Sequence, residues 1–249
     1  MRSTAMQTEQ FSSVVRQLLD KVDQTQSENI DKASALIYDS MKNGGLFHVF
    51  CTGHSHMIAE EFFYRAGGLI PVNPLLMPFL MQHEGAVSST KFERLTGVAK
   101  IVFDGADIRK GEPILIASNS GINAVPIEMA MLAKENGNPV ITLTSAAVSS
   151  QAQSRHASGK RLFELGDVVL DTGVPKGDSV IDCGNGLKTG SVSSIVSLYI
   201  VQRLALGVTA SFVNNGEEPP IFKSANVPGG DEYNQKLLDK FKGRIRCLY

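Results

Sequence analysis

Apolar runs that break into small-residue turns most constrain how this chain can fold. Residues 46–51 (Leu-Phe-His-Val-Phe-Cys) are rich in β-formers, break at Thr52-Gly53, and lead into a helix-like stretch over 56–67. The same grammar returns at 113–117, followed by Ser118-Asn119-Ser120-Gly121 and a helical run over 122–136 stopped by Gly137. It returns again as the strand 140–144. These strands lack the polar alternation of a sheet with one wet face. They therefore predict a parallel sheet covered by helices on both sides, a doubly wound α/β class. Further strands are expected at 168–171 and 179–182, and a long helix over 191–206.

Before the first strand, Val14, Val15, Leu18, Leu19 and Val22, then Ile30, Ala33, Ile37 and Met41, recur at helical steps. They predict two helices, the second opened by Ser27-Glu28 and closed by Gly44-Gly45. This arm either covers its own sheet or packs on a partner subunit. At 249 residues the expectation is one domain, with N-terminal helices over about 8–43 and a core over about 30–206. Two stretches, 71–93 and 212–230, hold too many prolines and glycines for regular elements, and long irregular loops in such folds are usually functional or disordered.

Composition excludes several classes. Lys and Arg number 24 against 25 Asp and Glu, so no basic stripe exists to hold nucleic acid. Cys51, Cys183 and Cys247 are scattered and odd in number, which indicates neither a disulfide framework nor a zinc knuckle and fits a reducing cytoplasm. Charged residues through 10–26 rule out a signal peptide there, and no stretch reads as roughly 20 apolar residues for a membrane span. The expected protein is soluble, cytoplasmic, and without membrane or nucleic-acid partners.

In parallel sheets, ligands bind beyond the carboxyl ends of the strands, where helix N-termini attract anions. Gly53-His54-Ser55-His56 and Ser118-Asn119-Ser120-Gly121-Ile122-Asn123 are two such loops, both supplying uncharged hydroxyl or amide donors. One helix cap needs one hydroxyl, and the second loop oversupplies it. Neither a Walker lysine pattern nor G-x-G-x-x-G is present, so a small phosphate ester is favoured over a nucleotide.

Residues 50–65, 114–121 and 137–145 resemble the sugar isomerase (SIS) domain of phosphosugar isomerases and phosphosugar-binding regulators, a likeness covering about 30–206. The resemblance implies a flavodoxin-like sheet, a sugar phosphate held by the two serine loops, and a homodimer or homotetramer with sites near subunit interfaces. It puts Ser55, Ser118, Ser120 and Asn123 at phosphate positions, with His56 and Asn119 beside them. Phosphoheptose isomerases carry a catalytic Glu where this chain has Arg65 and a His where it has Glu61, a departure that counts against that activity. Residues 184–191, read as opening the long helix, resemble the Leu-Lys-x-Gly-Thr segment of N-acetylmuramic acid 6-phosphate etherases. There Lys188 becomes a candidate ligand contact, because a cation at a helix start opposes the dipole.

Aldose–ketose isomerisation needs a base to move a proton between adjacent carbons, and it requires no cofactor. His83, Glu84 and Glu93 are the catalytic candidates. His54 and His56, two apart on a turn, do not make a metal site with Glu60 or Glu61, and no metal is expected. The expected function is a phosphosugar isomerase. The alternatives are an etherase-like lyase acting on an amino-sugar 6-phosphate and a non-catalytic phosphosugar sensor.

Overall fold

The computed structural model describes residues 4–248. Its centre is a five-stranded parallel sheet made by β1 (Phe47–Cys51), β2 (Val72–Leu75), β3 (Ile114–Ala117), β4 (Val140–Thr144) and β5 (Val168–Asp171), in the order β2-β1-β3-β4-β5. The three central strands are buried at every residue, which is why they read as unbroken apolar runs. Pro74 lies on β2, a sheet edge, where a missing N–H costs no ladder bond. The chain runs from β1 to β2 on one side and returns to β3 on the other, so the strand order reverses between β1 and β3.

One face is covered by α1 (Thr4–Lys42), α2 (Met57–Phe62) and α7 (Ser193–Asn214). The other is covered by α4 (Val98–Asp104) and α5 (Ala124–Asn136). The N-terminal arm is one 39-residue helix rather than two. Ser27, expected to cap a second helix, instead donates back to the Asp23 carbonyl at 2.8 Å and stays within the first. Its neighbours tie the helix to the sheet edge: Asn29 donates to the Val169 carbonyl (3.0 Å) and the Gln26 amide oxygen accepts from the Asp171 N–H (3.0 Å). Gly44, with φ +78°, ends the helix as expected. Apolar residues of this helix meet Val196, Ile200, Leu204 and Val208 of α7. Contrary to the expectation that no stretch is apolar enough, among the described residues α7 alone has the length and composition of a membrane span, with mean hydropathy 1.5; here its apolar face packs against α1.

Residues 71–93 are more regular than expected. After β2 comes a short 3₁₀ turn at Pro78–Leu80, then α3 (Gln82–Phe92), kinked at Gly85. Residues 179–191 depart in topology: β6 (Ser179–Gly184) and β7 (Leu187–Ser191) form a separate antiparallel hairpin. Its turn, Gly184-Asn185-Gly186, takes positive φ at all three residues. Asn-Gly between β-forming runs is a strong hairpin signal, and it overrides the helix start read there. The long helix begins only at Ser193 and continues past Leu206 to Asn214, with Gly207 packed directly over Ser34 of α1. The remaining α-helices are α6 (Ala146–Ser150) and α8 (Gly230–Leu238). The C-terminal segment from α8 onward closes a third apolar cluster over Leu46 and Ile70.

Candidate functional site

The reversal of strand order puts the loops after β1 and β3 side by side at the carboxyl edge, where doubly wound sheets open a crevice. Beyond β1, Thr52 is extended and buried, Gly53 takes φ +56°, and a 3₁₀ turn over Gly53–His56 presents Ser55. Beyond β3, the Asn119 carbonyl accepts from the Ser145 N–H (3.1 Å) and the Thr144 hydroxyl (3.3 Å). The Ser118 hydroxyl accepts from the Gly121 N–H (3.2 Å). Gly121 is obligatory here. It has φ +61°, and a Cβ would lie 2.9 Å from both the Ser149 and Thr144 hydroxyl oxygens.

Ser55, Ser118 and Asn119 line a small cleft. Its opposite wall is the first turn of α7, through Ser193, Ser194 and Ser197, with Thr172 beside them and Met57, Leu143 and Leu198 as apolar surface. Asp178 caps α7. Its carboxylate accepts from the Val192 N–H (3.0 Å), the Ser193 N–H (2.7 Å) and the Ser193 hydroxyl (2.8 Å), so the helix terminus already has an anion. His54 is the one ionisable residue lining the cleft.

A second cluster forms around Glu93, just past α3. Thr52 donates to one carboxylate oxygen (2.8 Å) and the Asn123 amide to the other (2.5 Å). Arg155, from the loop after α6, donates to the Asn123 amide oxygen (2.7 Å), and the Glu93 carbonyl accepts from the Val125 N–H (3.1 Å). Burial pushes the Glu93 carboxyl up, opposed by the Thr52 hydrogen bond and the charges of Arg94 and Arg155, and the net direction is upward. The Gly53 turn passes close by: a Cβ there would be 3.9 Å from the carboxylate.

The residues expected from sequence thus divide. Ser55, Ser118 and Asn119 share the cleft, and Glu93 and Asn123 share the carboxylate cluster. Asn123 has its amide oxygen and one N–H engaged by Arg155 and Glu93, which ties it to the carboxylate cluster. The Ser120 hydroxyl is partly exposed and makes no hydrogen bond among the described residues. His56 donates to the Gly53 carbonyl (2.6 Å), and its ring lies edge-on to that of His83 (5.3 Å between centroids). His83 and Glu84 are 56% and 55% exposed on α3, 3.8 Å from each other, and solvated there rather than joined to the carboxylate cluster. Lys188 is misplaced by the sequence reading. It lies exposed on β7, opposite Asp182 in the hairpin, not at a helix start, and lines no part of the cleft. Glu61 and Arg65 pair with each other at the end of α2 and do not line it either. No group of three or more His, Cys, Asp or Glu is placed to hold a metal among the described residues. Sequence reasoning missed Thr52, Arg155, Thr172, Ser194 and Ser197. The α7 serines had a local signal in their clustering at a helix start, whereas Arg155 had none.

Residues 10–145 match the family model described as the SIS domain. A UPF0309 protein of Listeria innocua is 39% identical over 239 residues, covering 96% of this chain and 97% of that protein. A phosphoheptose isomerase from Francisella tularensis superposes with TM-score 0.55 at 16% identity, over 84% of this chain and all of its own. An E. coli CFT073 protein solved in complex with A5P superposes with TM-score 0.53 at 18% identity, over 85% and 93% of the two chains. At such identities the structural likeness speaks to the fold.

Proposed function

The chain belongs to the SIS-domain family, and from that premise we propose that it binds a phosphosugar and interconverts its aldose and ketose forms. The observation that carries the chemistry is Glu93, a partly buried carboxylate held from both sides at the point where the strand order reverses; it does not line the serine cleft but lies against the Gly53 turn whose Ser55 does. As a carboxylate it takes the proton from the hydroxyl-bearing carbon next to the sugar carbonyl while the carbonyl oxygen gains a proton, giving an enediol; it then returns its proton to the former carbonyl carbon as the neighbouring hydroxyl loses its own, so that one proton passes between the carbons and one between the oxygens. A carboxyl raised toward working pH does this better than an ordinary one. Ser55 and Ser118 in the cleft, the partly exposed Ser120 beside them and the backbone N–H groups of both loops grip the phosphate, and the hydroxyls of Ser194 and Ser197 face the sugar.

The cleft walls favour an isomerase over an etherase-like lyase. They offer hydroxyls, one amide and one imidazole, a set suited to a neutral polyol, and no Lys or Arg to pair with a lactyl carboxylate. Lys188, in the segment 184–191 that carries the etherase resemblance, faces solvent on the hairpin.

Thermal shift against sugar phosphates, A5P among them, and the matching free sugars identifies the ligand class, since a compound that binds only the folded state raises the melting temperature. Glu93→Gln is then expected to abolish turnover of the stabilising compound while keeping its affinity. Unchanged turnover removes Glu93 from the mechanism, and stabilisation by no phosphorylated sugar removes the binding reading. Light scattering tests the homodimer or homotetramer, and a monomeric mass refutes it.

A further inference from the structure

Arg155 lies outside both strand-end loops yet is strapped to one of them. Its own N–H donates to the Ile122 carbonyl (2.9 Å), and Leu162, further along the same segment, donates to the Gly121 carbonyl (2.8 Å). Its guanidinium reaches the Asn123 amide oxygen at 2.7 Å, while the amide nitrogen of Asn123 donates to Glu93 at 2.5 Å. Arginine has donors only, so the Asn123 atom facing it must be oxygen, and the NH₂ must then face the carboxylate. From this geometry we infer that Arg155 is a positioning residue that acts on Glu93 through Asn123, fixing the amide orientation that keeps the carboxylate ionised and ready to accept a proton. The functional part of this inference rests on the reading of Glu93 as the proton-transfer group; the geometric part does not.

Without Arg155 the amide can turn end for end and present oxygen to Glu93. A carboxylate facing a carbonyl oxygen is disfavoured, whereas a protonated carboxyl can donate to it, so the neutral form gains. The other groups around Glu93 cannot substitute. Arg94, its chain neighbour, acts by charge alone, and Thr52 from the end of β1 engages the opposite oxygen. Of the nearby imidazoles, His54 bonds Gln82 (3.1 Å), His56 bonds the Gly53 carbonyl, and His83 lies over against the ring of His56 with Glu84 3.8 Å away.

The test needs no substrate. In full-length, ligand-free protein labelled at the glutamate carboxyl carbons, the Glu93 resonance is assigned by its loss in Glu93→Gln and titrated by NMR. Arg155→Met is expected to raise the Glu93 midpoint by about one pH unit. In an Asn123→Ala background, or Asn123→Ser if the alanine variant does not fold, the same substitution is expected to move it by well under half as much, because the relay is already cut. Arg155→Lys, which restores a donor, brings the midpoint back toward the parent value. An unmoved midpoint in Arg155→Met overturns the inference, and so does an equal movement in both backgrounds, which means direct charge. If the titrations behave as expected but Glu93→Gln still turns over substrate, the isomerase reading fails and the positioning geometry stands. If both hold, the acidic limb of the kcat/KM profile shifts upward with the midpoint in Arg155→Met.

Discussion

Glu112 shows how one buried acid can carry pH-dependent stability. Its side chain is 7% exposed and accepts from the Leu46 N–H (2.9 Å), the Arg109 N–H (3.0 Å), Arg244 (2.9 and 3.0 Å) and the fully buried His48 (2.9 Å). Burial alone would raise its carboxyl, but these donors outweigh it and hold it at about 2, against an ordinary value of 4.5. The folded value is the lower one, so the stabilisation is complete above pH 4.5 and disappears as pH falls through about 2. The full difference is about 3 kcal/mol. Urea unfolding across that window should show the loss in the parent and a much flatter profile in Glu112→Gln, which should already be weaker at neutral pH. Gly121→Ala belongs to the same scale. The left-handed backbone costs about 1–2 kcal/mol for any Cβ, and this one also meets two hydroxyls, so both the denaturation midpoint and the affinity for a sugar phosphate should fall. A variant with parental affinity would mean that the second serine loop does not hold the phosphate.

Between elements, α1 and α7 meet closely where Gly207 faces Ser34. A Cβ on Gly207 would lie 2.4 Å from the Ser34 hydroxyl oxygen and 3.0 Å from its Cβ. Gly207→Val should therefore push the helices apart and cost about 2 kcal/mol, lowering the thermal midpoint by roughly 6 °C. Parental melting would show that the helices separate at no cost. Legibility in the sequence also varied by element. The strands at 47–51, 114–117 and 140–144 could be read because burial on both faces leaves an unmistakable apolar run. The single α1 was misread because Ser27 satisfies its hydroxyl inside the helix, a choice that contacts with β5 decide. The hairpin at 179–191 did carry its own signal, Asn185-Gly186, which the charge argument about Lys188 obscured.

For the molecule as a whole, the C-terminal segment is a clasp rather than a tail. Phe222, Leu238, Phe241 and Ile245 cover Leu46 and Ile70 at the edge of the sheet, while Arg244 bridges Asp107 (2.9 Å) and Glu112. Removing residues 230–249 should expose that apolar surface and leave Glu112 without its guanidinium, at a cost of about 3 kcal/mol for the broken buried pair alone. The truncated chain should bind a hydrophobic dye and unfold at much lower denaturant. An unchanged midpoint would show that the clasp is not part of the cooperative core.

The amino-acid sequence by itself determined the α/β class, the parallel sheet and the two hydroxyl-bearing loops, because each depends on residues close together in the chain: an apolar run, a glycine able to take positive φ, a serine at a helix start. Only the tertiary structure decided which of those groups meet. Thr52, Glu93, Asn123 and Arg155 converge across roughly a hundred residues through parallel crossovers, and His83, Glu84 and Lys188 fall outside the cluster they make. No local pattern encodes such a meeting. It follows from strand order, which is set by how the whole chain buries its apolar faces.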